Sequence, residues 1–345
     1  MSEISGNVEN GKKIITVLSI DGGGIRGIIP ATILHRLEAD MEQPCCKVFD
    51  YIVGTSTGGI IALALAMPGT YSKEPKYKAA DVIDLYRTRG ADIFRPSEGI
   101  VLPWSRPAYG EEGIENVLHQ YFDNTKLSEA LSNVAVTAYN MDTRSPKIFR
   151  SWEAVQNQGD DYYMRDVARA TSAAPTYFPP AQISPAGLKE FKVHAVDGGV
   201  FANNPSTRAL VEAMKHEHAT AGSMGDTYFA LVSLGTGSLR RTYRYKDTKK
   251  WGKARWARVI LDVVFDGVSD NVDEQLDTLL HADTGIGKFF RFQGKLAYAS
   301  DDMDNPSEEN MERLEQTAAT IFSENDALYH DMLDFLRQRM LQRNS

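Results

Sequence analysis

Short apolar runs alternate with longer segments of helical spacing through the first two thirds of the chain. Residues 14–20 form an apolar run that reads as a buried strand, followed by a helix over 29–40 with Pro30 suited to its first turn. Residues 51–53 make a short strand, and 60–67 begin a helix apolar on all sides. Helical spacing returns at 79–89 and 113–122, and strands are predicted at 134–140 and 148–151. A helix over 166–173 is stopped by Pro175, with a proline-rich loop running on to Pro180. A strand at 193–196, a helix at 205–218 and a strand at 228–234 complete the series, which ends in Gly235-Thr236-Gly237. Such alternation predicts an α/β protein, a three-layer α/β/α sandwich with a mostly parallel central sheet.

After Gly237 the pattern changes. Nine basic residues and one acid, Asp247, stand between Arg240 and Arg258, interleaved with Tyr243, Tyr245, Trp251 and Trp256. Trp256, Val259, Ile260, Val263 and Val264 then form an apolar stripe opposite Arg255, Arg258, Asp262 and Asp266. The remainder reads as helices, over 308–321 with Ser307 as the opening cap and over 326–341. The expected organisation is a catalytic domain over 13–237 and a helical C-terminal extension over 238–345, packed on the same domain. The basic aromatic segment has three readings: a charged surface loop leading into a core helix, a docking face for an anionic membrane, or a receptor for a phosphate-bearing ligand.

Composition narrows the partners. The 345 residues carry a net charge of −8, which argues against general nucleic-acid binding. The two cysteines, Cys45 and Cys46, are adjacent and offer no disulfide framework, a usage that suits a reducing cytosol. Residues 1–13 are polar, without the apolar centre of a signal peptide. The longest apolar stretch, 60–67, falls far short of the roughly 20 residues that a membrane span needs. A cytoplasmic protein that meets membranes only peripherally is expected.

Three glycine-framed segments follow predicted strands, where α/β folds gather their chemistry. Gly54-Thr55-Ser56-Thr57-Gly58 has the form of a nucleophile elbow, with Ser56 on a sharp strand-to-helix turn. Its bland alternative is a tight turn or an anion-binding loop. Asp21-Gly22-Gly23-Gly24-Ile25-Arg26-Gly27 contains the glycine spacing of a dinucleotide loop, but residues 38–44 lack the acid-terminated strand that such a site needs. No Gly-Lys-Ser/Thr follows, so a Walker loop also fails. The remaining use is an oxyanion cradle from the amides of Gly22, Gly23 and Gly24. Arg26 would steady the loop or meet a substrate phosphate. Asp197-Gly198-Gly199 supplies an aspartate that ends its strand as Ser56 does, either a turn residue or a base held against the serine hydroxyl.

A Ser-Asp-His triad is the natural rival. The histidines that follow the acid are His216, His218, His281 and His330, and none has a glycine-framed setting. No Cys or His pair has zinc spacing, and Pro306 interrupts any calcium loop over 301–305. No metal and no cofactor is expected.

At these residues the chain resembles the patatin-like phospholipases. The resemblance rests on 21–27 as the oxyanion loop, Gly54 to Gly59 as the elbow and Asp197-Gly198-Gly199 as the dyad aspartate. It is supported by Phe49-Asp50, by 173–180 and by Asn203-Asn204-Pro205, and it spans about 13–237. It implies a Ser56–Asp197 dyad, an acyl-enzyme and hydrolysis of lipid acyl esters without a metal, with phospholipid or a membrane surface as substrate. The layout with a basic helical tail is also similar to bacterial patatin-like effectors of anti-phage systems switched on by cyclic nucleotides, which implies a nucleotide activator.

Overall fold

The computed structural model describes residues 12–96, 106–221, 227–238, 242–280 and 284–344. Strand β1 (Lys13–Ile20) is buried at every position after its first, as expected of a strand covered on both faces. The chain turns through Gly24–Gly27 into α1 (Ile28–Met41), then passes α2 (Cys45–Val48), β2 (Tyr51–Thr55) and α3 (Thr57–Ala66). Helices α4 (Ala79–Ile93) and α5 (Glu111–Phe122) lead to the hairpin of β3 (Asn133–Asn140) and β4 (Ser145–Arg150). Helices α6 (Ser151–Gln156) and α7 (Met164–Thr171), strands β5 (Ala181–Ile183) and β6 (Val193–Asp197), and helices α8 (Gly199–Ala202) and α9 (Ser206–Ala221) precede β7 (Thr227–Leu234). Beyond it come α10 (Tyr245–Thr248), α11 (Lys253–Leu279), β8 (Gly287–Phe292), α12 (Glu308–Glu324) and α13 (Asp326–Asn344).

Strand β1 lies between β2 and β7, with β3 outside β2 and β8 outside β7, all parallel. Period-two alternation divides the strands between two cores. Leu18, Ile20, Val232 and Leu234 face the larger one, under α1, α3, α4, α5, α7, α12 and α13. Ile15, Val17, Phe229 and Leu231 face the smaller one, under α9 and α11. This is the three-layer sandwich with C-terminal helices that the periodicity predicts. One element corrects the reading of 238–345 as helical alone. Residues 287–292 form β8, which pairs with β7 along its whole length and buries Phe290 and Phe292 in the larger core. A six-residue strand holding Lys288 and Arg291 has too little apolar alternation to be told from a loop.

The antiparallel strands matter for function. Strand β4 occupies one edge of β3 from Ala135 to Asn140. On the other edge, β2 pairs from Asn133 to Thr137 and β6 takes over from Ala138 to Asn140. Because β2 is parallel and β6 antiparallel to β3, their C-terminal ends run head-on into one another. Thr55 is the partner of Thr137 and Asp197 the partner of Ala138, so Ser56 and Asp197 leave the sheet at one point.

Candidate active site

Ser56 caps the N-terminus of α3 with φ 55° and ψ −124°, a backbone conformation that side-chain-bearing residues rarely adopt. Packing holds it there. The Ser56 N–H donates to Thr171 Oγ1 at 2.8 Å, and the two framing glycines lie against backbone on both sides. A methyl group on Gly54 would collide with the Gly58 carbonyl, and one on Gly58 with the Ile20 carbonyl. The elbow is thus clamped to the end of β1, with the positive end of α3 aimed at the serine.

Asp197 is 3% exposed. Burial pushes its carboxyl from the ordinary 3.8 up to about 7, opposed by the Ser56 hydroxyl and by the Gly199 N–H, which donates to Oδ1 at 2.7 Å. A carboxylate of this kind accepts a proton near neutral pH, which a solvated aspartate does poorly. Gly198 packs against Thr137, whose hydroxyl lies 2.7 Å from that of Thr55.

The glycine loop after β1 is equally braced, and its amides are not equivalent. Gly22 N–H donates to the Asn203 carbonyl at 2.9 Å, so this amide is occupied within the fold. Of the three expected oxyanion donors, Gly23 and Gly24 are the ones that line the cleft beside Ser56. Gly24, at φ 58°, lies against the Met303 carbonyl, where any side chain would both strain and collide. Arg26 Nε donates to the Gly23 carbonyl at 3.3 Å, which steadies the loop. Gly27 packs on Thr57.

The cleft at Ser56 has a volume of about 50 Å³. Ile60, Ile93, Phe94, Ile114, Tyr177 and Phe178 line it, together with Phe265 of α11 and Met303. Phe94, Tyr109 and Phe178 pack ring on ring with centroids 5.5–6.0 Å apart, and the Tyr109 hydroxyl donates to Asp304 at 2.5 Å. The walls are largely apolar, and Ser56, Asp197, Gly23 and Gly24 border the same cleft.

Sequence reasoning missed Arg291. From β8 its guanidinium donates to both oxygens of Asp21, at 2.7 and 3.1 Å, and to Asp273 of α11 at 3.1 Å. It also reaches the Ser233 hydroxyl at 2.8 Å. Burial pulls the Asp21 carboxyl up and this guanidinium pulls it back down. The pair anchors the residue before Gly22, so the C-terminal third of the chain braces the glycine loop. Its one signal in the sequence is a charge inside Phe289-Phe290-Arg291-Phe292.

Among the described residues none of the other candidates enters the cleft. His216 bonds to the Tyr51 hydroxyl at 2.7 Å and stacks on Trp152, so it is half-buried rather than solvated, at the far end of β2. His218 and His330 are exposed, and His281 lies outside the described residues. Asp50 also belongs to that far end, where it accepts from Thr16 and from Arg339 of α13. Among the described residues no group of three or more His, Cys, Asp or Glu side chains is placed to hold a metal ion. In the basic segment Arg255 lies over the Trp251 ring, while the Arg258 side chain is outside the described residues.

A strained serine beside a buried carboxylate and a glycine loop, on the C-terminal edge of a largely parallel sheet, agrees with the motif order. The family model described as patatin-like phospholipase matches residues 18–210. The chain belongs to the patatin-like phospholipase family. It is similar to Patatin-like protein 3 of Arabidopsis thaliana, at 32% identity over 88% of this chain and 79% of that one. It is equally similar to Patatin-T5 of Solanum tuberosum, at 32% over 88% of this chain and 82% of the relative. VipD of Legionella pneumophila aligns over 91% of this chain and 67% of its own, at 12% identity and a TM-score of 0.40, too slight a likeness to carry weight. Membership makes the protein a lipid acyl hydrolase in the general sense of the family. No helix among the described residues is long and apolar enough to cross a membrane.

Proposed function

We propose that this patatin-like protein releases fatty acids from phospholipids with Ser56 as nucleophile and Asp197 as its base. Ser56 Oγ adds to the ester carbonyl while its proton passes to Asp197. The oxyanion so formed lies against the amides of Gly23 and Gly24, a contribution often worth about 3 kcal/mol of barrier for each donor. Collapse expels the lysolipid alcohol, which takes back the proton from Asp197 and leaves an acyl ester on Ser56. Water then attacks that ester, again giving its proton to Asp197, and the fatty acid departs as Ser56 regains its hydroxyl.

The observation that carries this reading is the head-on meeting of β2 and β6, which sets the serine against a buried carboxylate at the mouth of an apolar cleft. A metal-free dyad needs a carboxylate raised towards neutrality, and burial raises Asp197 to about 7. The test is fatty-acid release from phospholipid vesicles by the wild-type protein and by Ser56→Ala. Release by the wild type alone is expected. Equal release by Ser56→Ala would overturn the assignment of the nucleophile.

A further inference from the structure

The apolar stripe at the start of α11 is split, with Val259 buried and Val264 half-buried while its other three members stand exposed. Trp256, Ile260 and Val263 fall on one side of the helix and are 41, 43 and 42% exposed. Phe265 points the other way, into the cleft, and Val272 and Leu276 continue that inward side in the smaller core. Helix α11 is therefore amphipathic in an unusual sense, with one apolar face buried and another in solvent. An exposed row of large apolar side chains on a surface helix marks a contact.

What surrounds the row identifies the contact. Arg244, Lys246, Lys249, Lys250, Lys253 and Arg255 are all exposed. Tyr243, Trp251 and Trp256 form a ladder of edge-to-face rings with centroids 5.3 Å apart. Lys249 and Arg255 lie over the rings of Tyr245 and Trp251, which holds cations and rings in one layer, and Tyr245 itself is 79% exposed. Cations, interfacial rings and aliphatic side chains in one layer match the headgroup region of an anionic bilayer. A second copy of the chain fits less well, because a two-fold contact would press six cations against six of the same sign. One acid, Asp247, stands exposed among these cations, while Asp266, Asp270 and Asp301 line a polar recess of about 270 Å³ beside the row, together with Arg26. That recess shares Phe265 and Asn203 with the Ser56 cleft, and Tyr243 and Val263 form its rim.

We propose that α10 and the first three turns of α11 form the surface by which the protein docks on anionic membranes. Docked in this way, the recess and the cleft behind Phe265 open towards the lipid. The choice of lipid as occupant rests on the hydrolase reading above, whereas the surface itself does not.

The experiment measures sedimentation of Ser56→Ala, which leaves the lipid intact, with vesicles of phosphatidylcholine alone or with one quarter phosphatidylglycerol. Expected is binding that requires phosphatidylglycerol and weakens at least tenfold between about 50 and 500 mM salt. Adding Lys249→Gln, Lys250→Gln and Lys253→Gln should weaken it about a hundredfold, near fivefold for each cation. Trp256→Ser with Ile260→Ser should weaken it at both salt concentrations. The same substitutions with Ser56 intact should hydrolyse a short soluble ester at the wild-type rate, which separates loss of docking from loss of the site. Failure of the parent to bind, or equal binding by parent and variants, overturns the proposal. So does a dimer that forms with rising concentration and is abolished by Trp256→Ser, which would give the face to a second copy.

Discussion

Around Ser56 backbone meets backbone so closely that Gly54 and Gly58 leave no room for a methyl group. Far along the chain, on the outer side of α11, three large apolar side chains stand about two-fifths exposed, Trp256 packed edge-to-face on Trp251. The first region works through fixed position: a strained serine, a buried carboxylate and two glycines of a braced loop border one cleft. The second works through composition, because a fluid surface of cations, rings and aliphatic groups needs no exact partner geometry. Phe265 joins the two, extending from α11 into the cleft. Substitutions should therefore be costly and specific in the first region, and mild and additive in the second.

The sharpest break is at Asp197. Asp197→Asn should lower kcat/KM on a soluble ester by roughly 10²–10⁴-fold, the range for loss of a general base. In the wild type the same quantity should fall about tenfold per pH unit below about 7, the value to which burial raises this carboxyl, and level off above it. The group's folded pKa exceeds its unfolded one, so its contribution to stability is complete below about pH 4 and is lost as pH rises through 7. Asp197→Asn should thus unfold at a higher temperature than wild type at pH 8, by an amount corresponding to about 4 kcal/mol, and lose that advantage near pH 4. A variant no more stable than wild type at pH 8 would contradict a carboxylate held in place against its own burial.

Arg291 tests how far the fixed region reaches into the C-terminal third. Arg291→Met leaves Asp21 buried without its cation and should destabilise the protein by about 3–5 kcal/mol in urea or thermal unfolding. Asp21→Asn combined with Arg291→Met should recover a large part of that stability, because the stranded charge is gone. If the double variant is no better than the single, the pair is not what anchors the glycine loop.

Phe265→Ala should reduce kcat/KM on long-chain esters by about tenfold, the scale of an apolar pocket contact, while an acetate ester reacts nearly unchanged. Equal losses on both would mean that Phe265 props the catalytic groups rather than lining the acyl path. The smallest effect belongs to the outer face. Ile260→Ser alone should change stability by no more than about 0.5 kcal/mol, since the side chain lies on the surface and outside both cores. A larger loss would show that the stripe is packed in solution.

Local patterns carried much of this molecule. Residues 14–20 announced β1 because a strand covered on both faces must be apolar throughout, and the structure extends it by one residue to Lys13–Ile20. Ser56 was legible as a candidate because glycines frame it directly after a strand, a setting that a tight turn or an anion-binding loop shares. Asp197 was legible as the end of a strand, but its neighbourhood was not. Nothing between 193 and 197 says that β6 runs antiparallel to β3 and meets β2 end to end. Strand β8 escaped because Lys288 and Arg291 break its apolar run, and those charges make sense only once Asp21 and Asp331 are known to receive them. The stripe from Trp256 to Val263 reads as a core face by spacing, yet spacing cannot tell a face that meets protein from one that meets solvent.

The sequence by itself therefore determined the layered α/β architecture and the family, and marked the three glycine-framed segments as candidates, since each is written within a few consecutive residues. Only the tertiary structure decided that Gly22 gives its amide to Asn203 while Gly23 and Gly24 face the cleft, that Arg291 holds Asp21, and that one side of α11 is left uncovered. Those are contacts between segments tens to hundreds of residues apart. Their energies depend on burial and mutual orientation, which exist only after the chain has folded.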